Sequence, residues 1–228
     1  MKVFVVIPCY NEEKRIIDVL QRTNNLKLDK KIIVVDDGSS DNSCKVVKNI
    51  ATLKNNFKDV LLLEHSINLG KGAALKTGCE AAIKLGADII VLIDADGQHN
   101  PEVIPEMVKK LEKEHLDLVF GSRDMDAKKM PAVLYFGNKF LTKIINLLSG
   151  ISISDSQSGL KVFRASVYDK LFWEASDYSV ETEMIIKAGK NKLKYGEILI
   201  ETIYNGKYRA TPFDGIKILI NLLIKKIL

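Results

Sequence analysis

The sequence has few cysteines and no long apolar run, and each shortage excludes a class of protein. The three cysteines, Cys9, Cys44 and Cys79, are odd in number and lack the spacing of metal ligands. A disulfide framework or a zinc site is therefore not expected, and a reducing cytoplasm fits. The apolar run at residues 3–7 is too short for a signal peptide, and no stretch reaches the roughly 18 uninterrupted apolar residues of a spanning helix. We expect a chain that does not cross a membrane.

The charge is distributed unevenly along the 228 residues. The net charge is +5, and residues 121–228 carry 17 Lys and Arg against 11 Asp and Glu, whereas residues 1–120 are nearly neutral. A basic half indicates an anionic partner, either nucleic acid or an anionic membrane surface. The interleaved basic and aromatic residues of a strand-binding surface are missing, so we expect no nucleic acid. With 46% hydrophobic residues, the length suits one α/β domain.

Short apolar runs alternate with amphipathic segments, which is typical of βα units stacked into a mostly parallel sheet. We predict strands at residues 2–7, 31–36, 60–64, 89–93 and 118–122. Helices between and after them are predicted at residues 12–26, 41–51, 72–85 and 101–114. Asn11 and Ser40 are the expected caps of the first two helices. The less regular second half is predicted to hold a helix at 132–148, a strand at 159–164, a helix at 180–190, a strand at 197–204 and a terminal helix at 213–228.

Polar side chains follow several predicted strands, at the edge where open α/β sheets bind their ligands. Asp94 and Asp96 come directly after the apolar run of residues 87–93. Side chains two residues apart in an extended segment point the same way. Two neighbouring anions are costly unless a cation lies between them or one is protonated. The sequence therefore predicts a divalent cation carrying a diphosphate at this edge, with a solvated polar loop as the alternative.

Six motifs occur in an order that resembles a known family. They are Ile7-Pro8-Cys9-Tyr10-Asn11-Glu12, Val34-Val35-Asp36-Asp37-Gly38-Ser39, Asn68-Leu69-Gly70-Lys71-Gly72, Asp94-Ala95-Asp96-Gly97-Gln98-His99, Gly121-Ser122-Arg123 and Asp155-Ser156-Gln157-Ser158-Gly159. Over nearly its whole length the chain resembles the inverting glycosyltransferases of family 2 with the GT-A fold. Within that family it is similar to the dolichol-phosphate mannose and polyprenol-phosphate glucose synthase branch. The motifs are specific for the family and much less specific for the sugar.

The resemblance implies an α/β fold of the GT-A type. This is a Rossmann-like, mostly parallel central sheet flanked by helices, with amphipathic interfacial helices in the C-terminal half. It implies a single domain over residues 1–228, in which residues 1–122 bind the nucleotide sugar and residues 123–212 bind the acceptor. Residues 213–228 form an amphipathic C-terminal helix.

The resemblance also implies a donor site built from residues that follow the strands. The base and ribose are cradled by Pro8, Tyr10, Glu12, Val35 and Asp37. The nucleotide phosphates and the metal meet Asp94, Ala95 and Asp96, and the metal ligands are Asp94, Asp96 and Gln98. Oxygen ligands with open positions favour Mg²⁺ or Mn²⁺ over zinc. The neighbouring His99 is a softer ligand, a general base or a structural hydrogen-bond donor.

The loop at residues 68–74 places glycines before a helix, as phosphate-binding loops do. It matches neither nucleotide fingerprint, because Walker A needs Ser or Thr after its Lys and Leu75 stands where the dinucleotide motif has Gly or Ala. The resemblance makes this loop a wall of the donor site, in which Lys71 contacts a phosphate or is solvated. Arg209, in a later loop, clamps the diphosphate or is simply exposed.

The implied reaction transfers a hexose from a UDP- or GDP-linked donor to dolichyl or polyprenyl phosphate, with inversion at the anomeric carbon. A phosphate monoester has a second pKa near ~6, so at neutral pH it is mostly dianionic and needs no side-chain base. Catalysis then requires the metal at Asp96 for the leaving diphosphate and Arg123 for the acceptor phosphate.

Further acceptor residues are expected in the second half of the chain. Relatives carry an Arg shortly after the Met-Pro that stands here at 130–131, and this chain does not. Lys139 or Lys129 must then replace it. Glu181 and Glu183 bond sugar hydroxyls, or they simply complement a helix N-terminus.

Two predicted amphipathic helices independently support the prediction of a lipid acceptor. In residues 132–148 a polar stripe of Asn138, Lys139, Thr142, Lys143 and Asn146 lies opposite Leu134, Leu141, Ile144, Ile145 and Leu148. Residues 213–228 combine lysines with a wide apolar face. Such helices form core packing or lie flat in a bilayer interface. We expect a cytoplasmic protein that associates peripherally with the inner face of the cell membrane.

Two other functions are consistent with the sequence. Transfer to a sugar hydroxyl would need a carboxylate base, for which Asp155 is the candidate. A non-catalytic subunit that binds nucleotide sugars or acts as a membrane scaffold is the second alternative, and the complete Asp94, Asp96 and Gln98 set argues against it. The sequence leaves open the donor base and the choice among mannose, glucose and N-acetylglucosamine.

Overall fold

The structure is a computed structural model, and it describes residues 1–52, 57, 59–124 and 132–201. Several predictions fall on other residues and so lie outside the described part. These are the roles of Arg209 and Lys129, the terminal helix at 213–228 and the end of the strand predicted at 197–204. The single-domain division of the chain stays a prediction for the same reason.

One seven-stranded sheet forms the centre of the fold. The strands are β1 Val3–Cys9, β2 Lys30–Asp36, β3 Val60–Glu64, β4 Ile89–Leu92, β5 Leu118–Arg123, β6 Lys161–Arg164 and β7 Tyr195–Ile200. Their order across the sheet is β3-β2-β1-β4-β6-β5-β7. All pairs are parallel except those of β6, which runs antiparallel to both β4 and β5. The predicted mostly parallel α/β architecture is confirmed.

Helices cover both faces of this sheet. They are α1 Ile16–Asn24, α2 Ser43–Thr52, α3 Lys71–Lys84, α4 Ile104–Lys113, α5 Ala132–Ser149, α6 Tyr168–Leu171 and α7 Val180–Lys190. Alternate residues of β1 point to opposite sides, so Phe4 and Val6 join the core beneath α3, α5 and α7, whereas Val5 and Ile7 join the core beneath α1, α2 and α4. The central strands β1 and β4 are apolar on both faces because both faces are buried.

The reversed direction of β6 brings a distant motif to the ligand-binding edge. Leu92, at the end of β4, pairs with Lys161, at the start of β6. The residues that precede β6 therefore lie beside the residues that follow β4. The segment 155–159 thus reaches the same edge as Asp94.

The first two helices begin later than predicted, and Asn11 does not cap α1. Asn11 has a left-handed backbone with φ 53°. Its Oδ1 accepts hydrogen bonds from the backbone N–H groups of Ser40, at 2.8 Å, and Asp41, at 3.3 Å. The predicted Ser40 cap is also wrong, because the side chain of Asp41 accepts the N–H of Ser43 at the start of α2. Asn11 instead ties the loop after β1 to the loop after β2.

Helix α5 is confirmed, but part of its predicted polar stripe faces inward. Thr142 Oγ1 lies 2.9 Å from the hydroxyl of Ser156, and the amide of Asn146 donates to the carbonyl of Ile153. The outward side instead carries Phe136 and Phe140, which are 67% and 63% exposed. The outer surface of α5 is therefore more apolar than the sequence pattern predicts. No helix within the described ranges is both long and apolar enough to cross a bilayer.

Candidate active site

The candidate active site lies at the carboxyl ends of β1, β2 and β4, where the parallel strands finish together. Asp94, Ala95 and Asp96 follow β4, as predicted. From the loop after β1, Tyr10 is exposed while Glu12 is buried, and the Glu12 carboxylate is 3.0 Å from Arg15 Nη1. The two loops therefore offer both an open aromatic surface and buried acids at one edge.

Asp94 is held in an ion pair that the sequence did not predict. Lys71, the first residue of α3, places its Nζ 2.6 Å from Asp94 Oδ1 and 2.6 Å from Glu181 Oε1. Burial would lower the pKa of Lys71, but the two carboxylates outweigh it and raise that pKa. Burial likewise would raise the pKa of Asp94, and the ammonium of Lys71 reverses the effect. Lys71 and Asp94 are therefore both charged at neutral pH.

Asp96 is in a different electrostatic state from Asp94. Burial first, and then the charge of Asp94, raise the pKa of Asp96 to about 6. Its Oδ1 accepts the backbone N–H of Gln98 at 3.0 Å. A carboxylate that is costly to ionise beside another anion gains stability when a cation lies between them.

A divalent cation fits this pair of carboxylates. Within the described ranges no group of three or more His, Cys, Asp and Glu side chains is arranged to hold a metal. Mg²⁺, however, is usually bound by only one or two carboxylates together with substrate phosphates. Asp94 and Asp96 match that pattern, because the remaining ligands would come from a diphosphate. The role of Gln98 as a third ligand stays a prediction.

The surroundings of Asp94 leave little space. A Cβ on Gly159 would clash with Asp94 Oδ2, so a larger residue there would have to displace that carboxylate. His99 places its Nε2 3.9 Å from the same oxygen. Burial lowers the pKa of His99 to about 4, so this histidine is neutral at physiological pH. Its Nδ1 is buried and accepts or donates no hydrogen bond within the described residues.

Asp37 bonds the protein's own backbone. Its Oδ2 accepts the N–H of Gly70 at 2.8 Å, and its Oδ1 accepts the N–H of Leu69 at 3.0 Å. His65 Nδ1 is 2.7 Å from Oδ1, and His65 Nε2 is 2.9 Å from the hydroxyl of Thr77. Asp37 thereby anchors the loop that leads to Lys71. Its role toward a base stays a prediction.

Two apolar residues predicted for the donor site, Val35 and Ala95, are buried. The side chain of Val35 lies fully within the core between the sheet and α3, so only its backbone faces the site edge. Ala95 is also buried. His65, by contrast, was missed by sequence reasoning, although a histidine directly after β3 and shortly before the Asn68-Leu69-Gly70-Lys71-Gly72 motif was a usable signal.

The N-terminus of α3 is occupied by the protein itself. The carbonyl of Ser176 accepts the N–H of Gly72 at 2.7 Å, and Trp173 Nε1 donates to the carbonyl of Gly72 at 2.8 Å. Gly70 has φ 95°, and a Cβ there would lie 2.3 Å from the Ser176 carbonyl oxygen. These contacts agree with the sequence argument that this loop is not a phosphate-binding loop.

Arg123 and Asp155 form a second buried pair at the same edge. Nε and Nη2 of Arg123 bind the two carboxylate oxygens of Asp155 at 2.6 and 3.0 Å. Asp155, the candidate base for a hydroxyl acceptor, is fully buried in this pair. Burial would raise its pKa, yet the charge and hydrogen bonds of Arg123 lower it. Such a carboxylate is a weak base that is closed to a substrate hydroxyl.

Lys161 is a buried lysine that sequence reasoning did not single out. It lies in β6 with its ammonium bonded to the carbonyl of Ser158, and it is only 2% exposed. Burial lowers its pKa to about 8, against the opposing effect of the negative charge of Glu181. A lysine inside the apolar strand that follows the segment 155–159 was the available signal.

The other acceptor candidates have separate roles in the structure. Glu183 accepts the backbone N–H groups of Glu174 and Ala175 at 3.1 and 2.9 Å. It therefore fixes the loop that covers the start of α3. Lys139 is exposed on α5, with its ammonium 4.6 Å from the centre of the Tyr135 ring.

Comparison with known proteins places this geometry in context. The model of the family described as glycosyl transferase family 2 matches residues 4–172. A UDP-N-acetylglucosamine–dolichyl-phosphate N-acetylglucosaminyltransferase of Methanococcus voltae is 38% identical, over 98% of this chain and 96% of its own length. A dolichyl-phosphate beta-glucosyltransferase of Trichomonas vaginalis is 30% identical, over 86% of this chain and 64% of its own.

A solved structure shares the fold. The glucosyl-3-phosphoglycerate synthase of Mycobacterium tuberculosis, crystallised with Mg²⁺ and uridine diphosphate, superposes with a TM-score of 0.70 and 20% identity. The match covers 97% of this chain and 78% of the mycobacterial chain. The likeness shows that the sheet and its flanking helices follow the GT-A plan.

Proposed function

The chain belongs to glycosyl transferase family 2 and is a glycosyltransferase, and on that premise we propose that it transfers a sugar from a nucleotide donor to a dolichyl or polyprenyl phosphate. The observation that carries the proposal is the 38% identity, over nearly both full lengths, to a transferase that acts on dolichyl phosphate. A second relative, a glucosyltransferase, has the same kind of acceptor in its name. The shared element is therefore the lipid phosphate, and N-acetylglucosamine and glucose are the first sugars to test.

The donor site is proposed at Asp94, Asp96 and Lys71. Asp94 and Asp96, with Gln98, would hold Mg²⁺ or Mn²⁺, which would stabilise the negative charge of the leaving diphosphate. The mycobacterial structure with Mg²⁺ and uridine diphosphate supports a divalent ion and a uridine donor in this fold. Lys71 supplies a fixed positive charge at the same place. Tyr10, which is exposed beside the site, offers a ring on which a base stacks.

The proposed reaction needs no protein base. An oxygen of the acceptor phosphate attacks the anomeric carbon from the face opposite the donor diphosphate. The new bond forms between that oxygen and the anomeric carbon, and the bond from this carbon to the diphosphate oxygen breaks. The products are a lipid-linked phosphate diester of inverted configuration and a nucleoside diphosphate. Because the acceptor is already mostly dianionic at neutral pH, with a second pKa near ~6, no proton has to be removed first.

The protein's task is then to hold two anions close together. Arg123 is the proposed cation for the acceptor phosphate, since its planar guanidinium suits phosphate oxygens. Its bidentate pair with Asp155 orients it rigidly at the end of β5. The same pair argues against the alternative of a hydroxyl acceptor, because it buries the carboxylate that would act as base.

A lipid acceptor requires access to a membrane surface, and α5 is the proposed contact. Phe136, Phe140 and Leu147 are 67%, 63% and 84% exposed on one side of this helix. Lys139 and Lys143 are exposed beside them. Apolar side chains flanked by lysines are typical of helices that lie in the interface of an anionic bilayer. We place this surface against the cytoplasmic face of the cell membrane.

The experiment that tests the proposal is a transfer assay with matched acceptors. The purified protein is given radiolabelled UDP-N-acetylglucosamine, UDP-glucose or GDP-mannose with Mn²⁺ and vesicles that contain dolichyl phosphate. Label should enter the organic phase with one donor, and one nucleoside diphosphate should be released for each sugar transferred. Release of nucleoside monophosphate would indicate transfer of a sugar phosphate instead. Label appearing only in added oligosaccharides would contradict the proposed acceptor.

A further inference from the structure

We propose that Lys71 acts as an internal counter-cation that neutralises Asp94 until the donor arrives, and that Glu181 is the positioning residue that keeps Lys71 there. The inference rests on the proposed function, because it concerns the same diphosphate site. It assigns to Glu181 a role other than contact with a sugar hydroxyl.

The geometry of Lys71 carries this inference. Its ammonium contacts Asp94 Oδ1 and Glu181 Oε1 at the same distance, 2.6 Å. An ammonium has three N–H donors, so two carboxylates leave one donor for a phosphate oxygen. Lys71 can therefore exchange Asp94 for a phosphate oxygen while it keeps its contact with Glu181.

The backbone around Lys71 is fixed, so only its side chain can make that exchange. Asp37 binds the N–H of Gly70 on one side, and the Ser176 carbonyl binds the N–H of Gly72 on the other. Gly70 and Gly72 approach the segment 175–176 too closely for any side chain. The three residues 70–72 are therefore held at one position over the site. A rigid support of this kind is what a precisely placed cation requires.

The carboxylate of Glu181 is held against Lys71 and is thereby removed from water. It is only 5% exposed, and its Oε2 accepts no hydrogen bond within the described residues. A buried carboxylate oxygen without a partner is unfavourable unless the charge is compensated nearby. The group in direct contact is Lys71, and the buried Lys161 adds a second positive charge nearby. When Asp94 turns toward a metal, Glu181 remains as the partner that keeps the ammonium in place.

The arrangement makes metal and nucleotide binding depend on each other. A divalent ion that arrives alone meets the ammonium of Lys71 at the same carboxylate, and the two cations repel each other. A diphosphate brings negative charge that neutralises both cations, so the ion and Lys71 then coexist. Each ligand should therefore strengthen the binding of the other by the same factor.

The test measures Mn²⁺ binding by the protein alone, through the electron paramagnetic resonance signal of the free ion. Lys71→Met removes the competing cation and should tighten Mn²⁺ binding by about tenfold or more. The reason is that the repulsion between two cations at one carboxylate changes the dissociation constant of the ion by more than about tenfold. Glu181→Gln leaves Lys71 with Asp94 as its only carboxylate partner in the contacts described. Mn²⁺ binding should then weaken by about threefold or more. The matched control is Lys76→Met. Lys76 lies on the same helix, with its ammonium over the Phe172 ring, and its loss should leave Mn²⁺ binding as in the wild type.

A second titration adds uridine or guanosine diphosphate to the same variants. In the wild type the effective nucleotide should tighten Mn²⁺ binding, and in Lys71→Met this coupling should fall by about tenfold. Unchanged Mn²⁺ affinity in Lys71→Met overturns the inference while leaving the proposed function standing. If Lys71→Met does not fold, as judged by its thermal unfolding, Glu181→Gln decides alone, and unchanged or tighter Mn²⁺ binding overturns the inference. A wild type that binds neither Mn²⁺ nor either nucleotide overturns the proposed function itself, and the inference with it.

Discussion

Arg123 binds both carboxylate oxygens of Asp155, with Nε 2.6 Å from Oδ2 and Nη2 3.0 Å from Oδ1. This contact joins the end of β5 to the segment that precedes β6. The Asp155 side chain is fully buried, whereas the Arg123 side chain is 13% exposed. The pair is therefore at once a structural link between two strands and the support of the proposed acceptor cation.

Asp155→Asn should destabilise the protein in a pH-dependent way. The substitution takes from the largely buried Arg123 its bidentate carboxylate partner, so the free energy of unfolding should fall by about 3 kcal/mol at neutral pH. The folded-state pKa of Asp155 is lowered below its ordinary value of 3.8. Its contribution is therefore present above that value and is lost as the pH falls below it. Urea unfolding at neutral pH and at a pH well below 3.8 measures both effects. A difference between wild type and variant that does not shrink at the lower pH would refute this explanation.

His65→Ala should weaken donor binding through Asp37. The change leaves the buried Asp37 with its two backbone donors only, and it should cost about 1–3 kcal/mol in the free energy of unfolding. The loop that carries Lys71 then loosens, so the KM for the donor should rise more than kcat falls. Thr77→Val, which removes the more distant partner of the imidazole, is the control and should have the smaller effect. Equal donor KM in His65→Ala and the wild type would show that Asp37 needs no support.

Gly159→Ala should abolish most activity without unfolding the protein. The added Cβ would lie 2.2 Å from Asp94 Oδ2 and must displace that carboxylate. A displacement of about 1 Å at a reacting group costs on the order of a hundredfold in rate. The same substitution at Gly137 of α5, where a Cβ meets nothing within 4 Å, is the matched control. Initial rates of sugar transfer measure the effect, and comparable rates in the two variants would contradict the position assigned to Asp94.

Phe136→Ser combined with Phe140→Ser should reduce membrane binding. Burying a phenylalanine side chain is worth about 1.5–3 kcal/mol, so the loss of two from an interface should weaken binding to vesicles by at least about tenfold. The assay is sedimentation with vesicles that contain anionic phospholipid. Leu85→Ser, which removes an exposed apolar residue at the end of α3, should leave vesicle binding unchanged. Binding that survives the double substitution would exclude α5 as the contact surface.

Sequence patterns were sufficient for the strands and for the starts of α5 and α7, and insufficient for the starts of α1 and α2. Apolar runs marked each of the first five strands, and the runs in β1 and β4 are apolar throughout because these strands are buried on both faces. The helix starts depended on Asn11, whose side chain bonds residues near position 40 rather than its own helix. The antiparallel direction of β6 was likewise not visible, since strand pairing is set by packing between distant segments.

The site could be predicted where functional side chains directly follow a strand in the sequence, as Asp94 and Asp96 do. The ion pairs were not predictable, because Lys71 and Glu181 are far apart in the sequence and meet only when α3 and α7 pack on one face of the sheet. Lys161 was missed for a related reason. A lysine in a strand normally extends into solvent, and only the tertiary packing shows that this one is buried.

The most direct test of the central claim is the transfer of labelled sugar to dolichyl phosphate by Asp96→Ala, compared with the wild type in the presence and absence of a chelator. The account predicts metal-dependent transfer by the wild type and at least a hundredfold less by Asp96→Ala, the size of loss expected when a stabilising charge is removed from a transition state. Asp169→Ala, at an exposed position of α6, should retain full activity. Transfer by Asp96→Ala at the wild-type rate, or wild-type transfer unaffected by the chelator, would contradict the claim that a cation at this strand end activates the donor.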